Sequence, residues 1–342
     1  MSIARIDSAS AGAISRVAIA RSSSGGTYLT AVRDSDENLK VIAWEIALNT
    51  TNGNIVRRGD ATAGQISEVA IAEAAGRIVT AVRDSNGNLK LIAWQLTAED
   101  DIVRRADASA GAISEVAITE LSLISDSTRY ATAVINSDGN LQVIIWEIVS
   151  NDNDISILRR GSASTGTVRE ISIAPLIRQT ENLSRFRFAT AVRNSDNNLQ
   201  VIVWHVTPNG GVVRIGDAVA GQASLISAAR VNDNRLLTAV RDSSNNLKII
   251  VWDIDYDGNL TRRGSALAGA VSLISIMSSN TTAVRDSDGN LKLIDWNITL
   301  SGDVSRGDSA LAGAADLIAA DSRVTAVRDS DGNLKLINWQ TT

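Results

Sequence analysis

Thr30–Trp44 reads TAVRDSDENLKVIAW, and the same phrase, with small changes, ends again at Trp94, Trp146, Trp204, Trp252, Trp296 and Trp339. Those are all seven tryptophans of the 342-residue chain, at spacings of 43 to 58 residues. A second phrase, RRGDATAGQISEVAIA from Arg57 to Ala72, fills the other half of each period. It returns near Arg104, Arg159, Arg214, Arg262 and Arg306, with a shortened copy at Arg5. Self-similarity at a fixed period is the mark of a repeat architecture. The uneven spacing argues against a stacked solenoid, whose coils must stay in step.

Each period reads as four short strands. In the second unit these are expected over Gln65–Ala72, Arg77–Asp84, Asn88–Leu96 and Ile102–Asp107. Turn residues mark the junctions: Ala63-Gly64, and the Ser85–Asn88 tip, which suits a tight hairpin needing positive φ. The third strand sets Lys90, Ile92, Trp94 and Leu96 on one face and Leu89, Leu91 and Ala93 on the other. A sheet that is apolar on both faces must be sandwiched, and radially packed blades achieve this without helices. The reading is therefore an all-β, seven-bladed β-propeller with four antiparallel strands per blade. Chain 1–342 forms one domain, with blades at about 13–60, 65–107, 112–162, 167–217, 222–265, 270–308 and 314–340. The chain opens inside a fourth-strand phrase and ends on a third strand. The segment over about residues 3–8 is thus expected to complete the last blade and close the ring.

This layout resembles that of WD40 repeats: a second strand, an Asp-Gly-type turn, then a third strand ending in Trp and an acidic or amide residue, as in Trp44-Glu45 and Trp252-Asp253. The Gly-His dipeptide of that family is missing from every copy, and the single histidine, His205, follows a tryptophan. The Asp-His-Ser/Thr-Trp network of WD40 units therefore does not carry over. The phrase also resembles repeats of uncharacterised bacterial propeller proteins, a resemblance that implies no activity.

Composition narrows the classes. Hydrophobic residues make up 44% of the chain, yet there are only seven Trp, three Tyr and two Phe, so the core is built from Ile, Val, Leu and Ala. The formal charge of −5 and the lack of like-charge blocks argue against nucleic acid. With no cysteine there are no disulfides or thiolate metal sites. No basic stretch with an apolar h-region opens the chain, and no apolar run is long enough to span a bilayer. No signal peptide or membrane insertion is expected.

Two ring-like sets of polar residues are candidate sites. One is the arginine before the hairpin tip: Arg33, Arg83, Arg193, Arg241, Arg285 and Arg328, with Ile135 in the third copy. The other is the Asp or Ser after Arg-Arg-Gly: Asp60, Asp107, Ser162, Asp217, Ser265 and Asp308, with Asp7 in the first copy. Both are expected in turns on one rim, where guanidinium and carboxylate either pin neighbouring blades or form repeated ligand sites. The tip Asp34–Asn38 has the alternating carboxylates of a calcium loop. However, Asn86, Asn136, Asn194 and Ser244 interrupt the pattern, and such residues also favour turns. All five lysines, Lys40, Lys90, Lys248, Lys292 and Lys335, occupy one repeat position, with Gln142 and Gln200 in the other copies. Their stems are expected to snorkel along the sheet. His205, with Pro175 and Pro208, falls in the fourth blade and has no partner set for a metal or a triad.

The first function reading is a non-catalytic propeller that binds a protein or other ligand as a rigid scaffold. The alternative is a multivalent lectin, in which Arg, Asp and an exposed Trp hold sugar between blades. A hydrolase with a central-channel site is the third reading, but no non-repeated acid–base–nucleophile cluster stands out. No cofactor or metal is implied, and the partner is expected to be a protein or a glycan. Single-copy recognition is expected on the variable loops at 49–54, 121–129, 151–154 and 175–185.

Overall fold

The computed structural model describes residues 3–23, 25–46, 54–124, 127–151, 154–176 and 186–341. Three of the variable loops, near 49–54, 151–154 and 175–185, lie largely outside these residues, as does the 125–126 tip of the fourth. Among the described residues the chain is all-β. The strands are β1 (Ile3–Arg21), β2 (Thr27–Asp34), β3 (Asn38–Ile46), β4 (Ile55–Ala74), β5 (Arg77–Asp84), β6 (Asn88–Leu96), β7 (Ile102–Ile124) and β8 (Ser127–Asn136). They continue as β9 (Asn140–Asn151), β10 (Asp154–Pro175), β11 (Phe186–Asn194), β12 (Asn198–Val206), β13 (Val212–Gln222), β14 (Ser224–Asn232), β15 (Arg235–Arg241) and β16 (Asn246–Ile254). The last are β17 (Leu260–Ser278), β18 (Thr281–Asp286), β19 (Asn290–Ile298), β20 (Val304–Ala314), β21 (Leu317–Asp321), β22 (Val324–Arg328) and β23 (Asn333–Thr341).

The hairpin strands of the second unit, β5 and β6, lie where the alternation placed them. The junction at Ala63-Gly64 does not: it is no turn but the middle of β4, and Gly64 does not adopt a positive φ. The first half of β4 pairs with β3 and the second half with β5. Between the pairs Lys40↔Thr62 and Asn38↔Gln65 the register slips. Extra residues of this kind bend a strand and raise its twist, and small Ala-Gly residues let the strand leave one sheet for the next without a clash. The outer strand of one unit is thus continuous with the first strand of the following unit. β1, β7, β10 and β17 repeat this arrangement.

The units abut through the tryptophan. Trp94 packs with Leu29, Ala31, Leu39, Val41 and Ala43 of the first unit, and Trp146 with Val79, Ala81, Leu89, Leu91 and Ala93 of the second. Trp44 packs against Val324, Ala326, Leu334 and Leu336 near the end of the chain. The receiving face mixes leucine and valine with alanines such as Ala31, Ala43, Ala81 and Ala93. Each indole N–H is buried and donates to a threonine fourteen residues upstream, as in Trp44 to Thr30 and Trp146 to Thr132. All seven of these bonds are 2.9–3.1 Å long.

A second recurring bond joins the units end to end. The tip residue with positive φ is glycine at Gly87, Gly139, Gly289 and Gly332, and Glu37, Asn197 and Asn245 elsewhere. Its carbonyl accepts the N–H of the residue that opens the next first strand: Ile66 from Glu37, Ile113 from Gly87, and so on to Ala315 from Gly289, at 2.9–3.1 Å. Ile14 N–H donates in the same way to Gly332 O at 3.0 Å. Residues Ile3 to Ala13 of β1 run antiparallel to β23.

Replacing Thr132 by Val keeps the volume but leaves the Trp146 N–H buried without an acceptor. The expected cost is about 1–3 kcal/mol in urea unfolding; an unchanged midpoint would show that the bond is dispensable.

Candidate functional site

The two candidate rings separate. Asp60 is not in a turn; it lies within β4 opposite Ile42 on β3. Arg33 sits at the other end of its hairpin strand, where its Nε donates to Ile66 O of the next unit at 2.7 Å and its Nη1 to Ser15 Oγ at 3.0 Å. Arg83 repeats this with Ile113 O at 2.6 Å and Ser67 Oγ at 2.9 Å. Arg241 bonds Ser224 Oγ, Arg193 pairs with Glu170, and Arg285 reaches Ser272 and Asp316. The Nε of Arg193, Arg285 and Arg328 is buried without a hydrogen-bond partner. Arg33 and Arg83 therefore span the seam to a backbone carbonyl and Arg285 spans it to Asp316, and among the described residues none of these pairs with the aspartate that follows Arg-Arg-Gly.

The aspartates serve the outer strand. Asp60 is held by Arg57 and by Lys40 at 3.3 Å, and Asp107 by Arg104 and by Lys90 at 3.2 Å. Asp217 is held by Arg214 and by the Gln200 amide at 2.9 Å. Burial pushes these three carboxyls up, but the arginine and the lysine or glutamine bonds outweigh it and hold them below their ordinary value. The equivalent groups elsewhere are serines: Arg5 donates to Ser8, Arg159 to Ser162, Arg262 to Ser265 and Arg306 to Ser309. The structure thus aligns Ser8 and Ser309, not Asp7 and Asp308, with Asp60. Asp7 instead accepts the Ile55 N–H at 2.9 Å. In these two copies Ile6 and Gly307 replace the second arginine, and Asp7 and Asp308 stand at the place of Gly59, one residue before that of Asp60.

The doubled arginine has a matching division of work. Arg57 turns to Asp60 and Arg58 to Glu45, the residue after Trp44. Arg160 pairs likewise with Glu147, and Arg263 with Asp253. The glycine that follows must be bare: a Cβ on Gly59 would lie 1.9 Å from Asp100 O, and one on Gly216 2.1 Å from Gly258 O. A second seam arginine, at the start of the hairpin, escaped the sequence reading. Arg129 donates to Pro208 O at 2.8 Å, and Arg235 to Thr299 O and Leu300 O at 3.0 Å. Arg187 donates to Asp255 O and Tyr256 O. Its signal was the Arg that opens RIVT, RYAT, RFAT and RLLT. Across the hairpin from Arg187 sits His205, whose imidazole is kept below its ordinary pKa by burial and by the Arg187 charge.

At the hairpin tips, Asp34 Oδ1 accepts the N–H groups of Asp36 and Asn38 at 3.0 and 2.9 Å. Asp84, Asn136, Asn194, Asp242, Asp286 and Asp329 do the same in their units. Carboxylate and amide are interchangeable here because each caps a turn.

What is not repeated lies along the first strands. A cavity of about 1170 Å³ is lined by the ends of all seven of them. Within it Glu73 is buried and accepts from Ser23 N, Ser23 Oγ and Gly76 N, while Asp321 Oδ2 accepts the Arg21 N–H at 2.8 Å. At the other end of these strands, Arg16 pairs with Glu68 at 3.0 Å, and Glu115 Oε1 accepts the Ile171 N–H at 3.3 Å. Burial pushes the Glu115 carboxyl up to about 7, against the Ile171 bond and aided by the charges of Glu170 and Glu68. Glu68, Glu115 and Glu170 share one repeat position, and Glu73 and Glu120 another, but the remaining units do not keep these acids, so the pattern marked them only in part.

Two outcomes follow. An acid whose pKa is higher folded than unfolded binds more protons in the native state, so stability falls as pH rises from about 4.5 to about 7. Unfolding free energies at those two pH values should differ by on the order of 3 kcal/mol. The Glu115→Gln variant, which keeps an oxygen for Ile171, should remove most of that difference. His205 contributes the opposite slope in both proteins, so the comparison isolates Glu115. Arg83→Ala should cost about 1.5–3 kcal/mol through the lost charge-assisted bond to Ile113 O, measured by thermal or urea unfolding.

No protein-family model and no curated protein matches the chain.

Proposed function

We propose that the seven units close into a propeller that serves as a rigid, non-catalytic scaffold for a protein or other ligand. The observation that carries this reading is one seam that recurs between successive units and again between the first and the last. The Trp44 cluster joins the first unit to the last as Trp94 joins the second to the first, and Ile14 N–H to Gly332 O repeats the other tip-to-strand bonds. The shared cavity supports it too, since seven first strands converge on one space. So does the use of the repeated polar groups. Their side chains bond to neighbouring units, to their own turns or to the outer strand, and that leaves uniform chemistry for architecture. Recognition then falls to the non-repeated residues of the cavity and the rim. The lectin reading loses its platform, because all seven indoles are buried.

Deleting residues 1–9 tests the closure. The edge of β23 would be exposed, and aggregation with a lowered melting temperature is expected; a monodisperse protein with an unchanged melting temperature would count against the ring. A glycan array tests the scaffold. The expected result is no binding, whereas binding that is lost on changing Arg83 and Arg285 to Ala would restore the lectin.

A further inference from the structure

One sector of the rim breaks the repeat in two respects at once. At the outer-strand position opposite the lysine, three consecutive units carry Ser10, Thr62 and Ser109, followed by Ser164. The next three units carry Val219, Leu267 and Leu311, which are 53%, 59% and 62% exposed. In the last two of these the aspartate is also gone: Ser265 and Ser309 stand where Asp60 and Asp107 neutralise Lys40 and Lys90. Among the described residues, neither Lys248 nor Lys292 has a carboxylate partner, and Arg262 and Arg306 bond only to those serines. Lys248 lies directly across the strands from Leu267, and Lys292 from Leu311. In the seams of these units the facing unit presents small apolar residues, Ala218 and Ala220 against the Trp252 cluster and Ala266 and Ala268 against the Trp296 cluster.

We propose that this sector, centred on Leu267–Lys248 and Leu311–Lys292, docks the protein on a membrane surface that carries anionic headgroups. The leucines supply interfacial burial and the four cations supply attraction that is local to the sector, because the chain as a whole has a charge of −5. A second copy of the chain is a poor occupant: a two-fold contact would set the same uncompensated cations against one another. A partner segment would need sockets, and neither the cavity of about 1170 Å³ among the first strands nor that of about 380 Å³ beside Thr261, Arg263 and Leu300 is lined by Leu267 or Leu311. A shallow comb of leucine and lysine suits a surface that is laterally uniform. The proposal needs only the strand pairings within these units and does not depend on the ring being closed.

The test is co-sedimentation of the full chain with phosphatidylcholine–phosphatidylglycerol vesicles and with vesicles of phosphatidylcholine alone. Binding to the anionic vesicles only, weakened by salt, is expected. Leu267→Ser with Leu311→Ser installs the residue of the sister units and should abolish it. Lys248→Gln with Lys292→Gln, which copies Gln142 and Gln200, should lower partitioning roughly thirtyfold. Should the serine pair fail to fold, the glutamine pair decides the matter. No binding to anionic vesicles, as an acidic protein partner would produce, overturns the proposal. So does equal binding to neutral vesicles, or binding that neither pair of changes reduces.

Discussion

A four-stranded sheet with two apolar faces has no stable existence in water until both faces are covered, and here each face is covered by another copy of the same sheet. The tryptophan is the piece that fixes how the copies meet. Its indole packs on the leucine, valine and alanine side chains of the neighbouring unit, and a threonine on its own unit takes the one polar atom it carries. Without that acceptor, a donor would be buried unpaired at every seam.

Around that contact the polar residues divide into layers along each unit. At the hairpin tip an Asp or Asn caps the turn, and the tip carbonyl reaches the next first strand. Beside it the Arg33-type guanidinium ties the same two units by a second route. At the opposite end the Arg129-type guanidinium holds the loop of the neighbour. On the outer strand the doubled arginine braces Asp60 and Glu45. Charge is thus used chiefly within the fabric of the fold, which is why so many charged residues recur at fixed positions with little consequence for net charge.

The chemistry that distinguishes one unit from another is sparse and lies in few places. Glu73 and Asp321 satisfy backbone donors at the cavity. Glu115 sits between two other carboxylates with a pKa of about 7. Leu267 and Leu311 replace hydroxyl residues on the rim. Departures from a repeat that otherwise enforces sameness are where a particular role is to be sought.

The sequence by itself determined the strand periods, the hairpin bounds of β5 and β6 and the seven units, because these follow from local alternation and turn chemistry. Tertiary structure decided the rest. Ala63-Gly64 reads as a turn in one dimension, but with sheets on both sides to pair with, the backbone runs on and bends through a bulge. Arg33 and Asp60 look like partners because their types are complementary. The sheet sets them apart, so that one serves the seam and the other the outer strand. Asp308 matches Asp60 by its neighbours in sequence, yet the register of β20 on β19 gives that place to Ser309. Which groups meet depends on register and on the facing unit, and neither is written in any one repeat.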